Sequence, residues 1–205
     1  MGANVQSSQE RETARLEAFS DGVFAFAITL LVLNLKDPVS GSTSLFQGLL
    51  GEWPTFFAFV TSFSTILIMW MNHHNMFNYI SRIDREFMLL NGTLLFFVTL
   101  TPFTTSLVAT HILSNDSNTA AVVYSGSFFL LAIVWNVLWR YASTGLRLLG
   151  SHVTPGQAKG ITRQYRVAPP FYAIALVAAF ISALTSLIVI ILLAAFFAIT
   201  ATTSE

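Results

Sequence analysis

The chain has 205 residues, 54% of them hydrophobic and only 10% charged, with ten basic and ten acidic side chains, zero net charge and no cysteine. Soluble domains carry about a quarter charged residues, so an ordinary soluble protein is excluded. The balanced charge gives nucleic acid no footing, and disulfide or thiolate chemistry has no residue to use.

An all-α membrane protein follows, with one six-helix domain over 1–205. Residues 1–14 form a polar lead, and the first predicted span covers 16–35, about 20 residues, enough to cross a bilayer. Lys36-Asp37-Pro38 closes it, and a short, nearly uncharged loop runs to Glu52. The second span is predicted over 53–78, and the turn after it is charged (Arg82, Asp84, Arg85, Glu86). The third, over 87–110, carries Pro102, which is expected to kink it. The fourth covers 119–141.

Residues 142–167 form the one sizeable segment between spans. They hold Arg147, Lys159, Arg163 and Arg166, and Thr154-Pro155-Gly156-Gln157 spells a capping box with proline at the first helical position. No charge occurs in 168–203. As one helix that run would be roughly 50 Å long, too long for a core of about 30 Å. Ser182 to Ser186 is the natural break, giving spans over 168–183 and 187–203; five spans in all is the alternative. Nine of the ten basic residues then fall on one side and only Lys36 on the other, so both chain ends are expected in the cytoplasm.

The first span holds the informative pattern. At about 100° per residue, Gly22, Phe26, Thr29 and Leu33 share an arc of roughly 60°, while Ser20 and Asp21 lie well round the cylinder from Phe26. A carboxylate inside a span faces a partner or water, not lipid. Glu17 precedes Asp21 by one turn on the same side, a like-charge pair that calls for a cation or donor. A histidine of span two, His73 or His74, is the candidate. The front stripe itself has two readings, packing against other helices or lining a path. Asn91 and Asn136 read as polar glue between helices.

His73 and His74 diverge by about 100° on their helix and cannot easily share one ion, and zinc needs more ligands than that. No metal, no cofactor and no catalytic constellation is predicted.

Arg15-Leu16-Glu17-Ala18-Phe19-Ser20-Asp21 matches the R-x-x-x-F-S-D signature of the transmembrane protein 175 family of potassium channels. The match runs on through Leu33 and is joined by Trp70-Met71-Asn72-His73-His74, Asn91 and Pro102-Phe103. The chain thus resembles that family. The resemblance implies a homotetramer in the bacterial inner membrane, six spans per subunit, with the first helices of four copies around a central K⁺ pore. It implies Phe26 as the constriction, with Thr29 and Leu33 beyond it, and Arg15, Phe19, Ser20, Asp21, Trp70, His73 and His74 as the network holding the lining helix. Phe26 departs from the aliphatic residue usual there. A proton-permeable channel of the same architecture is the alternative. A transporter, lacking an inverted repeat, and a metal-dependent membrane enzyme stand further off.

Overall fold

The computed structural model of the chain describes residues 2–35, 37–38 and 44–202, with side chains described between 9 and 197. Lys36, the single basic residue expected on the far side, and residue 203, the expected end of the last span, lie outside the described residues. The described chain is built of helices: α1 (Gly2–Leu30), finished by a 3-10 turn over Leu31–Asn34, α2 (Leu45–Gly51), α3 (Trp53–Phe77), α4 (Arg85–His111), α5 (Ser117–Ser143), α6 (Pro155–Tyr165), α7 (Ala168–Ile181) and α8 (Ala183–Thr202).

Five stretches are long and apolar enough to cross a membrane: Gln9–Asn34, Trp53–Phe77, Arg85–His111, Ser117–Leu146 and Pro155–Ile181. Ala183–Phe197 is a shorter apolar helix. The chain is therefore a multi-pass membrane protein. Several elements differ from expectation: Pro155–Ile181 takes in part of the 142–167 segment expected between spans. The polar lead is helical from Gly2, continuous with α1. The loop before Glu52 contains α2, which Ser44 starts by accepting the Gln47 N–H, a cap of the preferred kind on a helix too short to show periodicity. α4 runs unbroken through Pro102, where the Asn34 side chain donates to the Pro102 carbonyl at 3.1 Å.

Polar groups tie the apolar helices together, because in lipid there is little hydrophobic gain in joining one greasy helix to another. Ser62 of α3, Thr105 of α4 and Tyr124 of α5 meet in one buried cluster, Ser62 lying 2.7 Å from Thr105 and 3.0 Å from Tyr124. Ser125 of α5 meets Ser186 of α8 at 2.6 Å.

The second half is a three-helix stack. Contacts Trp139–Thr162, Asn136–Tyr165, Phe128–Tyr172 and Asn118–Ala183 run α6 and α7 antiparallel along α5. The expected capping box on Thr154 and Gln157 is present at the start of α6. The hydrogen bonding of the rod is interrupted where Pro169 and Pro170 remove two N–H donors, while its backbone stays helical. Pro169 would have bonded the Tyr165 carbonyl; the Asn136 side chain donates to it instead, at 2.9 Å. At Ser182 the backbone is extended (φ −155, ψ 118) and α8 begins at the next residue. The break expected over 182–186 is thus a single residue. α8 returns along the stack, since Ala194 and Phe197 flank a small cavity with Trp135, Tyr165 and Ala168 at the other end.

The turn after α3 is knitted to the segment after α5. Ser81 and Arg82 donate backbone N–H groups to the Leu148 carbonyl, and Gly150 donates to Tyr79. Arg147 reaches Asp84 at 2.8 Å and also contacts Tyr141, whose hydroxyl donates to Asp84 at 2.8 Å. Burial pushes the Asp84 carboxyl up, but the Phe87 N–H, Tyr141 and Arg147 outweigh it and hold the pKa below its ordinary 3.8.

Two outcomes follow. Asn136→Leu leaves the Tyr165 carbonyl unpaired and should cost about 1–3 kcal/mol, measured as a lower melting temperature in detergent. The depressed Asp84 pKa means its clasp is fully present at neutral pH and lost as pH falls through that value. Below pH 3.8, Arg147→Gln should therefore lose less stability than the parent chain, in melts across an acid series.

Candidate functional site

α1 shows two opposite edges. Thr13, Ser20, Phe24, Ala27 and Leu31 are buried, spaced by sevens, threes and fours as a seam packed on α3 and α4 requires. About 200° round the helix, at 100° per residue, lie Gly22, Phe26, Thr29 and Leu33. All four are exposed in the single chain, Phe26 and Leu33 each by 71%. A Cβ added at Gly22 would meet nothing within 4 Å beyond its own helix backbone. The Thr29 hydroxyl donates to the Phe26 carbonyl at 2.9 Å, which leaves its oxygen lone pairs facing outward.

The seam is held by three polar links at one height. The first runs through the interior. Ser20 donates to the Leu16 carbonyl, and the Asn91 amide of α4 donates to Ser20 at 2.9 Å. The Asn91 carbonyl oxygen then faces His73 Nε2 of α3 at 2.9 Å. Because that oxygen can only accept, Nε2 carries the ring proton. His73 Nδ1 is buried without a hydrogen-bond partner. The ring is fully buried, 4.6 Å from Phe77, 5.2 Å from Phe24 and 6.2 Å from Trp135.

The other two links lie on the flank. Trp70 Nε1 donates to Asp21 Oδ1 at 2.9 Å. His74 Nδ1 lies 2.8 Å from Glu17 Oε1, and the His74 ring stacks on Trp70 at 6.2 Å. The two histidines thus divide: His73 turns inward to Asn91, His74 outward to Glu17, and Asp21 takes the indole. A histidine does reach the Glu17–Asp21 pair, but through Glu17.

Glu17, Asp21 and His74 each offer one ligand atom, all within 4.8 Å of one another. This is the set among the described residues with spacing suited to a cation. Each member already has a protein partner, and the three hold α1 to α3 as they stand. The sequence offers His73 with His74; pairing His74 with Glu17 instead needs the fold, because the two lie on different helices.

Two members of the sequence-derived set sit apart from these links. Phe19 and Arg15 are exposed on α1. At the far end of the exposed edge, Asn34 joins Glu52, Thr55, Ser106 and Thr110 around a cavity of about 290 Å³, where Thr55 donates to the Glu52 carboxylate at 2.9 Å. Sequence reasoning missed this cavity; its only signal was the threonine and serine content of the outer half of α4.

The family model described as endosomal/lysosomal potassium channel TMEM175 matches residues 15–102. A potassium channel of Chamaesiphon minutus is 44% identical over 198 residues, covering 95% of this chain and 98% of its own. The crystal structure of a lysosomal potassium-selective channel TMEM175 homolog from Chamaesiphon minutus aligns with a TM-score of 0.86 at 43% identity, covering 94% of this chain and 99% of that one. The human endosomal/lysosomal proton channel TMEM175 is 40% identical over 93 residues, 41% of this chain and 18% of that protein.

The interior link gives a direct test. Asn91→Leu breaks both links of the chain at once, leaving Ser20 with only its Leu16 bond and His73 Nε2 without an acceptor. It should cost about 1–3 kcal/mol, read as a melting temperature several degrees lower in detergent, whereas Thr93→Val on the exposed side of α4 should change it little.

Proposed function

Because the chain belongs to the TMEM175 family, we propose that it forms a potassium-selective, leak-like cation channel whose pore is lined by α1. In this reading four copies assemble around a central axis in the bacterial inner membrane. Residues 1–205 are one domain of six spans, α8 being the sixth, and both termini are cytoplasmic. The single observation that carries it is the edge of Phe26, Thr29 and Leu33. It is exposed among the described residues, on the side of α1 opposite the seam that binds α3 and α4.

Phe26 is the constriction. Four aromatic side chains at one level make a ring that dewets and blocks ions when narrow, as hydrophobic gates do. When the ring widens, a cation passes after shedding part of its water. K⁺ gives up water more readily than Na⁺, so selection needs no carboxylate at the ring. The Thr29 oxygens face the permeating ion one turn beyond and replace some lost water contacts, and Leu33 forms a second apolar level. Ser20, Asp21, Trp70, His73 and His74 hold α1 at the rotation this requires.

A proton path is the second reading. The human relative is named a proton channel, and Glu17, His74 and Asp21 lie close enough to pass a proton.

Flux from liposomes of purified protein separates the two. With a K⁺ gradient and a pH dye present, K⁺ flux should exceed both Na⁺ and proton flux. Phe26→Ala should lower the K⁺/Na⁺ ratio several-fold while leaving the assembly's mass in detergent unaltered. An unaltered ratio, or a monomeric mass for the parent chain, overturns the assignment of Phe26.

A further inference from the structure

The rod made by α6 and α7 carries a second stripe that the pore does not use. Arg166 and Val167, which join the two helices, both keep right-handed helical φ and ψ (−62, −18 and −73, −33), so side-chain bearings carry across the junction. One edge, Ala158, Tyr172, Ala175 and Ala179, is buried, with Thr162 and Tyr165 on α5 as described. The other edge runs through Lys159, Arg163, Arg166, Pro170, Ile174, Val177 and Ile181, at spacings of three and four, and every one of these is exposed. Its first three members are cations and its last three are aliphatic, Ile181 being 80% exposed.

None of the three cations takes part in an ion pair among the described residues. From Arg166 to Ile181 the rod rises about 22 Å at 1.5 Å per residue. An acyl chain anchored at Arg166 would therefore run past Ile174 and Val177 towards Ile181 within a core of about 30 Å. We propose that this stripe is a binding site for an anionic phospholipid. The phosphate sits on Arg163 and Arg166, with Lys159 beside them, and an acyl chain lies along Ile174, Val177 and Ile181. Guanidinium groups match phosphate geometry with two parallel donors, and basic residues next to a span draw anionic lipid by about 1 kcal/mol each. A neutral lipid satisfies the aliphatic half alone. A soluble anion satisfies the basic half alone. An anionic lipid of the adjoining leaflet satisfies both along one line.

The proposal needs the helices to span a bilayer and is independent of which ion permeates. Purified protein in detergent, given equal phosphatidylglycerol and phosphatidylcholine, should retain the former several-fold over the latter when bound lipid is counted by native mass spectrometry. Combined Lys159→Gln, Arg163→Gln and Arg166→Gln should abolish that preference; Arg82→Gln with Arg140→Gln, off the stripe, should preserve it. Glycerophosphoglycerol without acyl chains should fail to displace the lipid. Preference surviving the triple substitution, displacement by the soluble headgroup, or a changed oligomeric mass of the triple variant, which would mean a second copy covers the stripe, each overturns it. K⁺ flux in neutral liposomes should persist in the triple variant, so loss of lipid preference is read apart from any failure of the channel.

Discussion

The rotation of α1 about its own axis is the constraint on which the rest of the molecule depends. Apolar packing alone sets it loosely, since Phe24, Ala27 and Leu31 would meet lipid nearly as well as protein. Hydrogen bonds set it tightly. Ser20 meets Asn91 on one side of the seam, and Trp70 and His74 grip Asp21 and Glu17 on its flank. Two anchoring directions on one helix fix an angle where one would fix only a contact. A slip of one residue, about 100°, in one sense would bury Phe26 and in either sense would draw Ser20 away from Asn91. The signature from Arg15 to Asp21 therefore controls, from behind, which side chains α1 turns outward.

The same logic of polar satisfaction recurs through the bundle. Every buried hydroxyl of the Ser62, Thr105 and Tyr124 cluster has a partner on another helix. The prolines after α6 would leave the Tyr165 carbonyl bare, and Asn136 from α5 covers it. These bonds are individually modest, averaging about 0.6 kcal/mol in membranes. Their role is to choose one packing among many greasy ones. Among the described residues His73 Nδ1 is the exception, a lone pair surrounded by the rings of Phe24, Phe77 and Trp135.

Legibility in the sequence follows from range. The first four long apolar runs, the Thr154–Gln157 cap and the bearing of Phe26, Thr29 and Leu33 on one side of α1 depend on neighbours within one or two turns, and periodicity exposes them. The seven-residue signature spelled the family. Which histidine meets which partner could not be read, because His73 and His74 are neighbours on α3 while Asn91 and Glu17 lie on α4 and α1. Asn136 looked like glue, but its target depends on Pro169, far along the chain. α2 was too short to show a period, and the turn at Ser182 was drawn too wide because the hydroxyl-rich run Ser182 to Ser186 suggested a loop. In fact Ser186 is already inside α8 and spends its hydroxyl on Ser125.

That reversal has a consequence for how the chain meets its surroundings. With one extended residue between α7 and α8, and the Ala183 N–H held by Asn118, the hairpin's tip offers no segment that a protease, a glycosylating enzyme or an antibody could draw out. Handles for accessibility mapping at that end of the bundle belong instead between α4 and α5, where Leu113 to Asp116 are exposed.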